Sequence, residues 1–171
     1  MKVSFMISSL CALLFVAGCK GDPPVVMGGD DKGVDLKENM INANKTIVQA
    51  EETQIDEYVK RRGWKMERLS CGARVWEMEI GNGRIVEYED SVHVIYDLEA
   101  INGKRIYSDV EESFMAGRRQ DMIGLDEAVR HLHFGSRAKV ILPSNLGYGI
   151  GGDGDRITRS AILVMDVRVK E

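Results

Sequence analysis

Apolar and polar residues alternate along several short segments, and this alternation restricts the fold of the chain more than any other feature. One segment, 75–80, ends at the turn 81–83, and a second covers 92–98. Alternation with period two is typical of strands that bury one face. Asn102-Gly103 separates the second segment from 104–107, and Asn-Gly favours a tight hairpin because both residues accept positive φ. The pattern therefore predicts antiparallel strands.

One short helix is predicted between the hairpin and the last strands. Four apolar residues recur there with helical spacing: Leu125, Ala128, Val129 and Leu132. A strand at 138–142, a Gly-rich loop at 144–160 and a final strand at 162–169 follow. Strands on both sides of one helix indicate an α+β domain, in which an antiparallel sheet wraps one short helix. We assign this domain to 87–171, which is long enough for one small core.

A second helix is predicted over 46–62, as an N-terminal extension of this fold. Its apolar residues recur with helical spacing, acid–base pairs stand at i and i+4, and Gly63 provides a stop. The apolar stripe should pack on the domain that follows. With the first strand, this helix forms a lead-in over 38–86.

The first residues are typical of an export signal. Lys2 precedes an apolar stretch of roughly 13 residues, which is too short to cross a bilayer. Ala17-Gly18-Cys19 follows and resembles the lipobox of bacterial lipoproteins, whose cysteine is diacylated. We expect a signal peptide over 1–18, a lipid on Cys19, and attachment to a membrane of the cell envelope, facing the periplasm or the surface. The stretch 19–37 should be a flexible tether.

Composition argues against several classes of function. The formal net charge is −4 and no basic cluster occurs, so nucleic acid is a poor partner because Lys and Arg contacts to phosphate supply most of that affinity. His131 and His133 are spaced i, i+2 and do not converge on one ion. We expect neither a metal nor a cofactor. Cys71 has no partner for a disulfide in the mature chain and should be a partly buried small hydrophobe.

The order and spelling of the elements resemble the FKBP family of peptidyl-prolyl isomerases over about residues 92–169. The lead-in is similar to that of FKBP lipoproteins of gliding bacteria. The resemblance implies a shallow apolar bowl between helix and sheet, where a proline-containing protein or peptide binds. It rests on five segments in order: Val92-His93-Val94-Ile95-Tyr96 with Asn102-Gly103-Lys104, Gly124-Leu125-Asp126-Glu127-Ala128-Val129, Gly135 to Pro143, Leu146-Gly147-Tyr148-Gly149, and Ala161 to Val167.

The resemblance also implies which residues form the site. Tyr96 matches a tyrosine of the pocket wall, and Tyr148 matches the tyrosine whose hydroxyl donates to the bound prolyl segment. Ile157 matches an isoleucine whose backbone N–H meets a ligand carbonyl. The remaining pocket positions are Ile106, Tyr107, Met122, Leu125 and Met165.

Several pocket positions depart from the family's pattern. Ile106-Tyr107 stand where the family has Phe-Asp, so the acidic group is missing, and Leu125 replaces the tryptophan of the floor. Because large aromatic side chains bury roughly 150–250 Å² each and stack well on a proline ring, weaker prolyl binding is expected.

Three functions fit this combination of retained and changed residues. The first is a peptidyl-prolyl isomerase of weak activity that assists the folding of envelope or exported proteins. The second is a non-catalytic FKBP-like chaperone or peptide-binding lipoprotein. The third is a structural subunit of an envelope complex. The retained Tyr96 and Tyr148 favour the first, whereas the missing acid and tryptophan favour the other two.

The lipid on Cys19 is tested by Cys19→Ser. Two or more acyl chains anchor a protein stably, so the variant should leave the detergent phase and become soluble in the envelope fraction. A variant that still partitions into detergent like the wild type would contradict the lipoprotein interpretation.

Overall fold

A computed structural model describes the backbone of residues 30–170 and the side chains of residues 36–170. The predicted signal peptide, Cys19 and residues 20–29 of the predicted tether lie outside this range. The chain divides into two units, Met1–Glu38 and Asn39–Glu171. Of the first unit only the start of a helix is described, and the features below belong to the second.

The described chain is an α+β fold built on one antiparallel sheet, which confirms the predicted class. The strands lie in the order β1-β2-β5-β6-β3-β4, and each neighbouring pair is antiparallel. A 3₁₀ helix, Ser144–Leu146, follows β5. The elements are α1 (Asp30–Arg62), β1 (Glu67–Arg68), β2 (Arg74–Glu79), β3 (Ser91–Ala100), β4 (Arg105–Met115), α2 (Ile123–Val129), β5 (Arg137–Leu142) and β6 (Leu163–Lys170).

The two middle strands, β5 and β6, are buried on both faces. Successive side chains of a strand point to opposite faces, so Val140 and Leu142 enter a main core with α2, while Ile141 enters a second core. The second core is completed by Ile55 and Tyr58 of α1. Burial on both faces explains the unbroken apolar run before Asp166, because such strands need apolar residues at every position.

Helix α1 begins at Asp30, well before the predicted start at 46. The predicted tether is therefore wrong over 30–37, where the chain is helical. Side chains 36–50 are exposed, and Glu51 is the first buried one. The helix continues here with exposed side chains, so the apolar periodicity on which the prediction depended is weak. No helix within the described residues has the length and apolar character needed to cross a membrane.

The lead-in predicted over 38–86 is part of the same sheet. Strand β2 pairs with β5 along its length, so no structural boundary falls before residue 87. A buried arginine joins this strand to α1: Arg74 donates to Asp56 Oδ1 at 2.8 Å and to the carbonyl of Gly72 at 2.9 Å. The hairpin at Asn102-Gly103 forms as predicted, with Gly103 at φ +86°.

Helix α2 lies unusually close to the chain that follows β5. A Cβ atom at Gly124 would lie 2.6 Å from Cδ2 of Leu142 and 2.9 Å from Cβ of Leu146. Only glycine permits this approach, because real Cβ atoms do not come so near. The close packing fixes Leu125, on the same turn of α2, against the sheet.

The attachment of α1 is tested by Ile55→Ala, which removes a fully buried side chain from the second core. Because the cavity adds to the lost transfer free energy, the free energy of unfolding should fall by about 2–5 kcal/mol in a urea titration. Ile41→Ala is the matched control, since Ile41 is an exposed residue of the same helix and its loss should change stability by about 0.5 kcal/mol or less. Equal effects of the two substitutions would show that α1 does not pack on the sheet.

Candidate active site

The eight predicted site residues come from several elements around the main core. Tyr96 lies on β3, Met165 on β6, and Ile157 in the loop between β5 and β6. Each of the eight belongs to the main core or packs directly against it. The other five are Ile106 and Tyr107 of β4, Met122 and Leu125 at the start of α2, and Tyr148 after the 3₁₀ helix.

The apolar members of this group are closed off from solvent. Met122, Leu125 and Met165 are 0% exposed, so they form a packed floor and not an open bowl. Tyr107 and Tyr148 remain half-buried. These two tyrosines therefore form the accessible rim of the site.

A carboxylate lies at this rim, although the position expected to carry one is occupied by Tyr107. The hydroxyl of Tyr96 donates to Glu112 Oε1 at 3.0 Å. Burial, with the nearby charge of Glu112, raises the pKa of Tyr96. The acid beside the Tyr96 hydroxyl is therefore Glu112 of β4, and not residue 107 of the same strand, where the family's pattern has its acid.

Sequence reasoning missed Glu112 because it ended the strand at residue 107. The strand continues to Met115, and Val110, Glu112 and Phe114 are half-buried while their neighbours are exposed. This alternation was visible in the sequence. An acidic residue at an inward position of a strand is a signal for a site, because a buried carboxylate needs partners.

Arg119 supplies the second partner of that carboxylate. Its Nη1 donates to Glu112 Oε2 at 2.5 Å, and its Nε and Nη2 donate to the two carboxylate oxygens of Asp121 at 2.9 and 3.1 Å. The arginine side chain is only 7% exposed. Burial opposes its charge, but the bonds to Asp121 and Glu112 outweigh this effect and raise the pKa of Arg119. The guanidinium therefore stays charged and fixed.

The segment that carries Arg119 is held in place by a buried acid of α2. Both carboxylate oxygens of Asp126 accept the backbone N–H of Gly117, at 2.8 and 3.0 Å. Burial raises the pKa of the Asp126 carboxyl, and the hydrogen bond from the Gly117 N–H acts in the opposite direction. The turn between β4 and α2 is thereby fixed, and with it the direction of Arg119.

Tyr148 differs from Tyr96 in that its hydroxyl is not engaged. Within the described residues no group accepts or donates a hydrogen bond at this hydroxyl. Its backbone is fixed, since Gly149 N–H donates to the carbonyl of Ser144 at 2.9 Å and Ser160 N–H donates to that of Gly149 at 2.9 Å. Burial and the charge of Glu112 raise the pKa of Tyr148, so the phenol is a neutral donor.

The loop between β5 and β6 is attached to β4 by the carboxylate of Asp153 and by Arg156, whose Nη1 donates to the carbonyl of Ile106 at 3.3 Å. The hydroxyl of Tyr107 donates to Asp153 Oδ2 at 2.6 Å, while Asp153 Oδ1 accepts the N–H of Ile157 at 2.8 Å. The Tyr107 hydroxyl lowers the pKa of Asp153 to about 2, and the same bond raises the pKa of Tyr107 to about 12. The N–H of Ile157 thus already has an acceptor, which a ligand carbonyl would have to replace.

The part of the chain that the structure describes contains no group of three or more His, Cys, Asp or Glu side chains able to hold a metal ion. Cys71 is free and packs at the edge of the main core. The chemistry available at the site is therefore that of three tyrosine hydroxyls, an Arg–Glu ion pair and an apolar floor.

Comparison with known proteins identifies the family. The sequence profile of FKBP-type peptidyl-prolyl cis-trans isomerases matches residues 82–170. The chain belongs to this family. FK506-binding protein 2 of Dictyostelium discoideum is 32% identical over 84 residues, which are 47% of this chain and 63% of that protein. FK506-binding protein 4 of Gibberella zeae is 32% identical over 103 residues, 58% of this chain but 21% of that one. The chain thus spans less than two thirds of these relatives' length.

Solved structures of FKBP-type proteins share the fold. FkpA from Escherichia coli superposes with a TM-score of 0.61 at 22% identity, over 82% of this chain and 70% of that one. A peptidyl-prolyl cis-trans isomerase from Pseudomonas syringae pv. tomato gives 0.62 at 23% identity, over 74% and 93%. At this level of identity the likeness establishes the fold alone.

The contact between Tyr107 and Asp153 is tested by Tyr107→Phe. Losing the hydroxyl removes a bond to a charged acceptor, so amide hydrogen exchange in 151–157 should become about threefold to tenfold faster, as measured by mass spectrometry. Asp155→Asn is the control, because this exposed carboxylate of the same loop contacts only Arg156 and should leave exchange nearly unchanged. Unaltered exchange in Tyr107→Phe would mean that this contact does not hold the loop.

Proposed function

We propose that this chain is a peptidyl-prolyl cis-trans isomerase of low activity that acts on envelope or exported proteins. The observation that carries the proposal is the contrast between the hydroxyls of Tyr96 and Tyr148. The buried Tyr96 donates its hydroxyl to Glu112, whereas the half-buried Tyr148 carries a neutral hydroxyl that no described residue engages, on a fixed backbone beside the apolar floor. Such a donor can meet a carbonyl oxygen of a bound prolyl segment.

The reaction needs no nucleophile, metal or proton transfer. Amide resonance gives the C–N bond partial double-bond character and a rotation barrier of about 18–20 kcal/mol. The twisted amide has lost that resonance and is less polar, so an apolar surface favours it over the planar ground state. Uncatalysed cis–trans exchange of an X-Pro bond takes tens to hundreds of seconds. Each 1.36 kcal/mol of selective stabilisation of the twisted amide makes this exchange about tenfold faster.

Two features of the site support a low rate. The floor formed by Met122, Leu125 and Met165 is already packed, so the prolyl ring gains little new apolar contact. The loop that carries Ile157 is bonded to β4 through Asp153, and a substrate must exchange one of these bonds. The small gain in apolar contact and the lost loop hydrogen bond both reduce the net stabilisation of the twisted amide.

The solvent-inaccessible floor of Met122, Leu125 and Met165 also favours a second candidate, a non-catalytic FKBP-like chaperone or peptide-binding lipoprotein. If the floor stays closed, peptides contact only the rim of Tyr107, Tyr148 and the Arg119–Glu112 pair. Binding would then depend on hydrogen bonds and charge, and no selective stabilisation of a twisted amide would follow.

We place the protein at the cell envelope, anchored by lipid on Cys19. This part of the proposal is supported by the sequence of residues 1–19 alone. A tethered isomerase would meet exported chains before they are folded, when their X-Pro bonds still exchange slowly.

The role of Tyr148 is tested by Tyr148→Phe, assayed on the full chain with a proline tetrapeptide series coupled to a protease. A neutral hydrogen bond contributes about 0.5–1.5 kcal/mol net, so kcat/KM should fall a few-fold to about tenfold without loss of stability. Tyr88→Phe is the matched control, because Tyr88 is an exposed tyrosine outside the site. Unchanged turnover in Tyr148→Phe would refute the role of its hydroxyl, and zero turnover in a folded wild type would refute the isomerase and leave the binding module.

A further inference from the structure

One face of the Tyr107 ring carries a positively charged side chain of the protein itself. The guanidinium carbon of Arg156 lies 5.4 Å from the centroid of this ring, and Arg156 Nη1 donates to the carbonyl of Ile106 at 3.3 Å. A guanidinium in this position is attracted by the negative charge of the ring face. Because Tyr107 is one of the two tyrosines of the rim, Arg156 covers part of the surface that is open to a peptide there.

Two carboxylates complete the surroundings of this arginine. Asp155 Oδ2 lies 3.8 Å from Arg156 Nε, and Asp153 accepts the Tyr107 hydroxyl at 2.6 Å. Asp153 raises the pKa of Tyr107 through this hydrogen bond and its charge. The charge of Asp155 acts in the same direction and that of Arg156 in the opposite one. The ring, the Ile106 carbonyl and the two carboxylates therefore form a surface that suits a cation, which we name the cation subsite.

Arg156 is held weakly in the cation subsite. Its side chain is 62% exposed and so is most of its partner Asp155, and its 3.3 Å bond to the Ile106 carbonyl is longer than usual. Exposed ion pairs and exposed cation–π contacts contribute little free energy. Another cation can therefore replace the Arg156 side chain easily. The ring itself stays in place, because Asp153 binds the Tyr107 hydroxyl.

The cation subsite is joined to the proposed active site by hydrogen bonds. Gly152, the residue before Asp153, donates its N–H to the carbonyl of Tyr148 at 3.2 Å. Burial, together with nearby charges that include Asp153, raises the pKa of Tyr148. Tyr107 and Tyr148 also pack against the same main core. The contacts from Tyr148 through Gly152 and Asp153 to Tyr107 follow one another without a gap, so the two tyrosines belong to one rim.

We propose that the cation subsite binds a lysine or arginine side chain of the polypeptide whose proline occupies the proposed active site, and that Arg156 fills it in the free protein. An extended peptide advances about 3.3 Å per residue, so the basic residue stands within about three positions of the proline. Arg156 competes with that residue and weakens the preference that the Tyr107 ring provides. This inference rests on the proposed function and adds Tyr107 and Arg156 to it as specificity-determining residues.

The test compares peptides that differ only near their proline. Each carries the same central proline and either arginine or the uncharged glutamine at one position, scanned over about three residues on either side of the proline. The full chain is used, with kcat/KM measured in an assay coupled to a protease that does not cleave after arginine, and Kd measured by calorimetry. The ratio of kcat/KM for the arginine peptide to that for the glutamine peptide is the arginine preference.

Arg156→Gln removes the competing cation and leaves the ring. Arg156 is exposed, so the fold should stay intact. The arginine preference should rise by about twofold to fivefold over the wild type at the position that reaches Tyr107, which is the strength of an exposed cation–π contact. Arg159→Gln is the matched control, because Arg159 is an exposed arginine of the same loop and its loss changes the net charge equally. In this control the preference should stay near the wild-type value.

Two further substitutions, each combined with Arg156→Gln, isolate the contribution of the ring. Tyr107→Phe and Tyr107→Leu both remove the hydroxyl and its bond to Asp153, but only Tyr107→Phe keeps an aromatic face. The raised arginine preference should persist with Tyr107→Phe and disappear with Tyr107→Leu, whereas equal preferences in the two would overturn the role of the ring. If Tyr107→Leu does not fold, as judged by circular dichroism, the comparison of Arg156→Gln with Arg159→Gln decides.

The remaining outcomes separate the cation subsite from the function on which it rests. An arginine preference that does not rise in Arg156→Gln overturns the subsite. A preference that rises equally in Arg159→Gln also overturns it, because the net charge of the loop then explains the effect. If the folded wild type turns over none of the peptides, the isomerase is refuted and the same ratios are taken from the Kd values. A ratio that rises in Arg156→Gln alone then supports the subsite in a binding module, and an equal ratio or no measurable binding overturns it.

Discussion

Burial of β5 and β6 on both faces is the constraint on which the other features depend. Val140 and Leu142 require a cover on one face and Ile141 requires one on the other. Helix α2 covers the face of Val140 and Leu142. The last turns of α1 cover the face of Ile141. Because each cover is fixed by apolar packing, the site on the α2 side and the last turns of α1 on the other side are both held against the same strand pair.

The site itself is organised by polar contacts more than by aromatic packing. Glu112 receives bonds from Tyr96 and Arg119, and Asp121 completes the enclosure of the guanidinium. Assembling a buried ion pair costs free energy, but removing one partner costs more, because the other charge is then left buried and unpaired. These groups therefore stay together. They keep the rim ordered at the expense of the apolar surface that favours a twisted amide. A fixed hydrogen-bonding geometry at the rim is the physical consequence.

The loop between β5 and β6 is fixed at two places. Near its start Ser144 is bound by Glu51, and further along Asp153 is bound by Tyr107. The first contact is buried, whereas the second joins two half-buried residues nearer the surface. Tyr148 lies between the two contacts, so the chain on both sides of it is fixed.

The sequence by itself determined the class of the fold and the hairpin at Asn102-Gly103, because local periodicity and turn chemistry encode these directly. The eight site residues followed only from the resemblance to the FKBP family and stay a prediction. It could not determine that α1 begins at Asp30, since propensity without burial leaves little pattern. It also could not determine that Glu112 accepts a hydrogen bond from Tyr96 or that Asp153 accepts one from Tyr107. Such contacts join residues far apart in the chain, and only tertiary packing decides which of several possible partners a buried polar group meets.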